Sequence, residues 1–239
     1  MKTIAFFGSS TFAGKGQAFN ILSYLQKQNK NYRLQNFGAG GNTAYDALQR
    51  IDSVVKAKPD ITFILIGGND VLVTIFPNLK KLLGAFSSSQ QPNIDVYEKN
   101  LRTIVQTLKT KTNSKIALCS LGIVGENVTN PSSTQQQINN GLQLHSAIIE
   151  KIAKEENVDY LPFFENFYQI IAENPTKNFD EFKILPMYRD AFRSLLLGWS
   201  SDKVGERNGW KYHSDGIHLN SKGAMILIKL IENYLYATE

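Results

Sequence analysis

The chain has 239 residues, of which 42% are hydrophobic, and 26 Lys and Arg against 21 Asp and Glu give it a net charge of +5. This length predicts one globular domain that can bury a core, and 17 Gly and 7 Pro without a triplet period exclude collagen-like and wholly disordered classes. The pI near 9.1 is compatible with nucleic-acid binding, but the lysines are scattered. We therefore expect a solvated basic surface and no nucleic-acid partner.

The sequence contains no candidate membrane segment, no candidate secretory signal and a single cysteine. The apolar runs are far shorter than the roughly 18 to 20 residues that cross a bilayer, so we expect no stable membrane insertion. The apolar run before Gly8 is too short for the core of a secretory signal, and the chain as given is therefore expected in the cytoplasm. The single cysteine, Cys119, lies in an apolar run, which indicates a buried strand residue rather than a nucleophile.

Short β-branched and aromatic runs alternate with longer amphipathic segments along the chain. The runs predict strands at residues 3–7, 32–37, 61–66, 115–121 and 158–161. Apolar residues at helical spacing predict helices over residues 44–55, 97–108, 138–152 and 224–235. This alternation requires right-handed crossovers onto a parallel sheet, so the predicted fold class is α/β, a three-layer sandwich. Its ligand is expected outside the carboxyl ends of the strands.

Residues 174–212 interrupt this alternation. The segment is rich in aromatic and apolar residues, and two interpretations stay open: a lid or binding wall, or a packed helix over residues 187–197. Trp199 and Trp210 are compatible with an acyl pocket, with stacking on a sugar, or with the core. The polar loops at residues 87–93 and 127–133 do not resemble domain linkers.

The first strand is followed by a glycine-rich turn that contains Ser9 and Ser10. A phosphate-binding P-loop has a similar outline, but five residues separate Gly8 from Gly14 where that motif has four. Gly16 also replaces the hydroxyl residue that would bind magnesium. The alternative is a serine at a strand-to-helix turn, where free backbone N–H groups favour developing negative charge.

Glycines and short polar residues also follow the second and third strands. After the second strand, Gly38 and Gly41 precede Asn42 and Thr43, either of which can cap the next helix. After the third strand comes Gly67-Gly68-Asn69-Asp70, where a helix cap by Asn69 or Asp70 is the simple interpretation. The position of Asn69 at a strand end also places an amide side chain at the same edge of the sheet as Ser10.

Asp215 and His218 are three residues apart in the C-terminal loop. At this spacing the carboxylate can accept from Nδ1–H, which leaves Nε2 free to take a proton from a serine. A metal site built from His213, Asp215 and His218 is the competing interpretation, but no other strand end supplies a further His or Cys ligand. We therefore expect no metal at this position.

Taken together, these motifs resemble the SGNH hydrolase superfamily, the GDSL-type esterases and lipases. The matching positions are Gly8, Ser10 and Gly14; Asn36, Gly38 and Gly41; Gly67, Asn69 and Asp70; and Asp215 with His218. The resemblance implies that Ser10, His218 and Asp215 form a catalytic triad. It also implies an oxyanion hole of the Ser10 and Gly41 backbone N–H groups and the Asn69 side chain. Ser9 stands where the family has Asp and competes for the nucleophile role, but Ser10 keeps the spacing to Gly14.

The resemblance implies a flavodoxin-like, five-stranded parallel sheet in a single domain over residues 1–239, with an insertion at about 174–212. The implied function is a serine esterase that cleaves lipid, short-chain or carbohydrate esters, with a small-molecule substrate as its partner. The resemblance also implies that the reaction requires no metal and no organic cofactor. Two alternatives remain. One is a non-catalytic carbohydrate- or lipid-binding protein on the same fold, and the other is a nucleotide-binding protein. The sequence does not indicate an oligomeric state.

Overall fold

The computed structural model describes residues 1–16, 18–77, 79, 93–181, 189–190, 192–194 and 196–238. Its centre is a parallel sheet of five strands in the order β2-β1-β3-β4-β5. The strands are β1 (Lys2–Gly8), β2 (Tyr32–Gly38), β3 (Ile61–Leu65), β4 (Lys115–Cys119) and β5 (Asp159–Leu161). The helices are α1 (Ser10–Ala13), α2 (Ile21–Gln28), α3 (Ala44–Gln49), α4 (Ile51–Ala57), α5 (Gly68–Ile75), α6 (Ile94–Lys111), α7 (Ser133–Glu156), α8 (Phe163–Glu173), α9 (Ser201–Asn208) and α10 (Ser221–Ala237).

The sheet is covered on both faces, which confirms the predicted three-layer α/β class. Helices α3, α4, α6 and α7 pack against one another in one layer, while α2, α8 and α10 form the other. Every residue of β3 is buried, as a parallel strand between two helical layers requires. All the strands lie within two residues of their predicted limits. β4 ends early because the N–H of Leu121 donates to Ser146 Oγ of α7 rather than to a strand.

One predicted helix is divided in the structure. The pattern over residues 44–55 predicts a single helix, but the chain forms α3 and α4 with a break at Arg50 (φ −117°, ψ 14°). The side chain of Arg50 explains the position of the break, since its guanidinium bonds to carbonyl oxygens at the ends of β1 and β2. Apolar periodicity could not show this contact, because it is polar and lies between distant segments.

The structure also bears on several smaller expectations. Cys119 is fully buried at the end of β4, and burial raises the pKa of its thiol far above the usual range. Trp210 is buried, whereas Trp199 is half-buried between Arg193 and Lys203. The predicted loop at 87–93 lies outside the described residues apart from Asn93. Within the predicted helix at 187–197, residues 189–190 and 192–194 are described and are helical. Among the helices that the structure describes, none is long and apolar enough to cross a membrane.

Candidate active site

Ser10 is the second residue after β1 and the first residue of the short helix α1. Its backbone N–H has no hydrogen-bond acceptor among the described residues, as expected for the first turn of a helix. Ser10 is half-buried, whereas Ser9 is only 6% exposed, and the N–H of Ser9 donates to Leu65 O of β3 (3.4 Å). The more accessible hydroxyl at this turn therefore belongs to Ser10.

Close packing between α1 and β2 depends on glycine. A Cβ atom at Gly38 would lie 2.2 Å from the backbone nitrogen of Ala13. No side chain fits in that space, so Gly38 lets α1 approach the carboxyl end of β2. The turn that carries Ser10 is thereby held against the second strand, where Ala39 N–H also donates to Gly8 O (3.0 Å).

The segment after β2 supplies a second backbone donor. Gly41 has a positive φ of 76°, and its N–H has no acceptor in the part of the chain that the structure describes. Of the two residues that the sequence offered as a cap for α3, Thr43 is the one used, in a capping box with Asp46. Asn42 has a different role: its carbonyl oxygen accepts from Asn69 Nδ2 (2.9 Å).

The interpretation of Asn69 or Asp70 as a helix cap is wrong. Helix α5 begins one residue before Asn69, its N-cap is Gly67 (φ 133°), and no side chain caps it. Asn69 instead donates to Asn42 O, and the buried Asp70 carboxylate accepts from Ala44 N–H (3.0 and 3.2 Å). Burial raises the pKa of Asp70 to about 7 against the opposing effect of the Ala44 N–H. The segments after β2 and β3 are thus hydrogen-bonded to each other.

Arg50 joins three parts of this edge, and the sequence reasoning missed it. Its Nε donates to Asn42 Oδ1 (2.6 Å), one terminal nitrogen donates to Gly8 O (2.7 Å), and the other donates to Phe37 O. The guanidinium also lies 4.7 Å from the centre of the Phe7 ring. Partial burial lowers the pKa of Arg50, and the charge of Asp46 opposes this effect.

Asp215 and His218 are in direct contact in the loop before α10. His218 Nδ1 lies 2.7 Å from Asp215 Oδ2, while Asp215 Oδ1 accepts from the backbone N–H groups of Ile217 (2.9 Å) and His218 (2.7 Å). Burial lowers the pKa of His218, but the charge and hydrogen bond of Asp215 outweigh it and raise the pKa above 6.5. Burial of Asp215 is likewise outweighed by His218, so the pKa of the carboxyl is lowered.

The loop with His218 is tied to the segment that follows the nucleophile turn. Phe19 N–H, just before α2, donates to Leu219 O (2.9 Å), one residue after His218. Among the described residues, neither Ser10 Oγ nor His218 Nε2 has a hydrogen-bond partner. A serine–histidine bond is often long without substrate and shortens in the Michaelis complex. Both groups therefore keep their capacity to react.

His213 does not join Asp215 and His218 as a metal ligand. Its Nδ1 lies 3.0 Å from Glu126 Oε1 and its Nε2 lies 3.1 Å from Ile123 O, so both ring nitrogens already have partners. In the described residues, no three His, Cys, Asp or Glu side chains are grouped so that they could hold a metal ion. Glu126 carried no motif or periodicity that could have singled it out from the sequence.

Comparisons with known proteins identify a family for this chain. The model of the GDSL-like Lipase/Acylhydrolase family matches residues 6–226. No curated protein sequence matches the chain significantly.

Solved structures share the fold at low sequence identity. An acetyl xylan esterase covers 97% of this chain and 98% of its own, with 20% identity and a TM-score of 0.65. An acetylxylan esterase from Geobacillus stearothermophilus covers 97% of this chain and 93% of its own, with 20% identity and a TM-score of 0.64. A lipase/acylhydrolase from Enterococcus faecalis covers 100% of this chain and 97% of its own, with 16% identity and a TM-score of 0.63.

Proposed function

The chain belongs to the GDSL-like lipase/acylhydrolase family and is a carboxylic ester hydrolase, and we propose that it works through an acyl-enzyme on Ser10. In this proposal His218 is the general base and Asp215 holds its imidazole. The oxyanion hole consists of the Ser10 and Gly41 backbone N–H groups and the Asn69 side chain. The single observation that carries the proposal is the 2.7 Å contact between His218 Nδ1 and Asp215 Oδ2, which leaves Nε2 without a partner among the described residues.

The reaction begins with transfer of the Ser10 hydroxyl proton to His218 Nε2 as Oγ attacks the ester carbonyl carbon. Asp215 stabilises the resulting imidazolium. The C–O bond to the alcohol then breaks, and the alkoxide leaves with the proton from Nε2. A water molecule attacks the acyl-enzyme in the same way, with its proton passing to His218 and then to Ser10. The products are one carboxylic acid and one alcohol, and the enzyme is restored.

In this proposal, the oxyanion is stabilised by N–H hydrogens that have no other acceptor among the described residues. The N–H groups of Ser10 and Gly41 are unbonded in the described part of the chain. Asn69 Nδ2 carries two hydrogens, of which one bonds to Asn42 O, so one remains for the oxyanion. Each such donor is worth about 2.7 to 4 kcal/mol of transition-state stabilisation.

For the substrate, we propose a broad class of carboxylic esters rather than a single compound. Lipid, short-chain and carbohydrate esters all fit an acyl-transfer site of this kind. The acetylxylan esterases among the structural relatives make acetylated carbohydrates the first class to test. A panel of p-nitrophenyl esters of increasing acyl length, assayed beside an acetylated xylo-oligosaccharide, separates these classes by kcat/KM.

The decisive experiment replaces Ser10 with alanine. We expect Ser10→Ala to lose hydrolysis of p-nitrophenyl acetate and labelling by a fluorophosphonate, with an unchanged circular dichroism spectrum. Ser9→Ala is the matched control, because it removes the adjacent hydroxyl from the same turn, and we expect it to keep both properties. If Ser9→Ala loses activity and Ser10→Ala keeps it, the nucleophile is Ser9 and the assignment to Ser10 is wrong.

A further inference from the structure

Glu126 lies in the loop between β4 and α7, and its side chain is completely buried. Burial of a carboxylate is costly unless hydrogen bonds or an opposite charge compensate for the lost water. Its Oε1 accepts from the backbone N–H groups of Tyr212 (2.6 Å) and His213 (2.9 Å), and its Oε2 accepts from Lys211 N–H (2.8 Å) and Thr176 Oγ1 (2.7 Å). Three successive N–H groups of the C-terminal loop therefore bond to one carboxylate. Burial opposes its charge, but the His213 contact and these hydrogen bonds lower the pKa of Glu126 to about 2.

The ring of His213 is completely buried beside Glu126. It is stacked on Phe167 with ring centres 5.3 Å apart, and the edge-on ring of Trp210 is 6.1 Å away. Nδ1 faces the carboxylate at 3.0 Å, and Nε2 faces the carbonyl oxygen of Ile123 at 3.1 Å.

The carbonyl oxygen of Ile123 can only accept a hydrogen bond, and so can Glu126 Oε1 in the ionised carboxylate that the four other donors favour. A neutral imidazole has a single N–H, so it would bring one unprotonated nitrogen against an oxygen lone pair inside the protein. Such a buried, unsatisfied polar contact is costly, whereas an imidazolium satisfies both oxygens. These two contacts therefore favour a proton on each ring nitrogen of His213.

The pair lies at the base of the loop that carries the proposed catalytic residues. His213 and Leu219 form an antiparallel bridge, Ser214 N–H donates to His218 O (2.8 Å), and Asn220 Nδ2 donates to His213 O (3.1 Å). Gly125, next to Glu126, donates its N–H to Gly216 O (2.9 Å), one residue after Asp215. The Glu126 segment thus contacts the loop on both sides of Ser214 and Asp215.

We propose that Glu126 and His213 form a buried carboxylate–imidazolium pair that positions the loop bearing Asp215 and His218 for catalysis. The effect of the pair on catalysis rests on the proposed function, whereas the charge state of the pair is a property of the fold and does not depend on it. Glu126 and His213 touch neither the nucleophile nor the oxyanion donors, so they are positioning residues. Without the pair, Asp215 and His218 would keep their mutual contact but lose their fixed place relative to Ser10.

No second charge contacts the His213 ring among the described residues. Phe167, Trp210 and Ile123 are neutral, and Asn220 meets only the backbone of His213. Lys177 lies over the ring of Trp210 at 4.7 Å and Lys211 over the ring of Tyr212 at 5.2 Å. The carboxylate of Glu126 is therefore the group that keeps the imidazolium charged.

The charge state is tested on the unmodified protein. Long-range ¹H–¹⁵N spectra of the three histidine rings, assigned by the loss of signals in His213→Gln, report the protonation of each nitrogen. We expect both His213 nitrogens to be protonated at pH 7. An unprotonated ring nitrogen on His213 at pH 7 would overturn the ion pair, whatever the enzyme's activity.

The positioning role is tested with Glu126→Gln, which keeps the shape of the side chain and removes its charge. We expect kcat for p-nitrophenyl acetate to fall about 10- to 100-fold with KM changed less than about threefold, because the reacting groups are displaced while the binding surface stays in place. The Nδ1 proton signal of His218 should also broaden as its loop loses order. His213→Gln should reproduce this pattern, which provides a second variant if Glu126→Gln folds poorly.

Val105→Ala is the control for stability alone. Val105 is fully buried in α6, which packs against α3, α4 and α7, and truncation there should lower stability while leaving kcat and the His218 signal unchanged. Should Glu126→Gln keep kcat within about twofold and retain the His218 signal, the positioning role is wrong. Failure of the acyl-enzyme proposal has a different signature, namely an active Ser10→Ala variant.

Discussion

Asn69→Ala tests the oxyanion hole through the only side chain assigned to it. In the structure, one hydrogen of Asn69 Nδ2 bonds to Asn42 O at 2.9 Å, so the carbonyl of Asn42 sets the orientation of the amide. The substitution therefore removes two interactions with separate consequences. Loss of one oxyanion donor corresponds to about 2.7 to 4 kcal/mol in the transition state, or about 100- to 1,000-fold in kcat. Loss of the neutral hydrogen bond to Asn42 costs about 1 kcal/mol of folding stability.

The assay is steady-state hydrolysis of p-nitrophenyl acetate, with unfolding in urea measured on the same samples. Because the oxyanion forms only during reaction, we expect KM to stay within about threefold of the unmodified enzyme. Asn100→Ala, a buried asparagine of α6, is the matched control and should leave kcat unchanged. A kcat for Asn69→Ala within about threefold of the parent would refute the assignment of Asn69 to the oxyanion hole.

Two further predictions concern the charged groups around the site. Arg50→Met removes charge-assisted hydrogen bonds to Gly8 O, Phe37 O and Asn42 Oδ1, so it should lower the free energy of unfolding by about 2 to 4 kcal/mol in urea titrations. The control is Arg33→Met at an exposed position of β2, which should change the free energy of unfolding by less than about 0.5 kcal/mol. Equal losses in the two variants would contradict the role of Arg50. His218 must be neutral to act as a base and its pKa is raised above 6.5, so kcat/KM should fall as the pH drops through that raised value. Asp215→Asn should lower kcat by about 10³- to 10⁴-fold and move the midpoint of the remaining pH–rate profile to lower pH. An unmoved midpoint would show that Asp215 does not raise the pKa of His218.

The parts of the fold that could be predicted are those with a local signature. Strands show as short β-branched and aromatic runs, and the turns at their carboxyl ends show as glycines beside polar residues. That rule places Ser10, Gly41 and Asn69 at one edge of the sheet, because parallel strands end there, whereas the roles proposed for them come from the resemblance to the SGNH hydrolases. The spacing of Asp215 and His218 likewise allows their hydrogen bond to be anticipated.

What could not be predicted depends on contacts between distant segments. Arg50 is 42 residues from Gly8 and interrupts a helix whose apolar spacing is continuous, so periodicity predicts one helix where there are two. Glu126 is 87 residues from His213, and neither residue lies in a repeated pattern. The cap assigned to Asn69 or Asp70 was wrong for a related reason: both side chains bond to the segment after β2 rather than to their own helix.

The residues of the proposed site form two groups, which are held in place by different long-range contacts. Ser10, Gly41 and Asn69 follow three adjacent strands, so the hydrogen bonds of the sheet, together with Arg50, determine their relative positions. Asp215 and His218 lie in a loop between α9 and α10 that contributes no strand to the sheet. A loop outside the sheet needs another source of order if its base is to meet the nucleophile within a fraction of an ångström. A buried carboxylate that accepts five hydrogen bonds, four of them from residues 211–213, supplies that order.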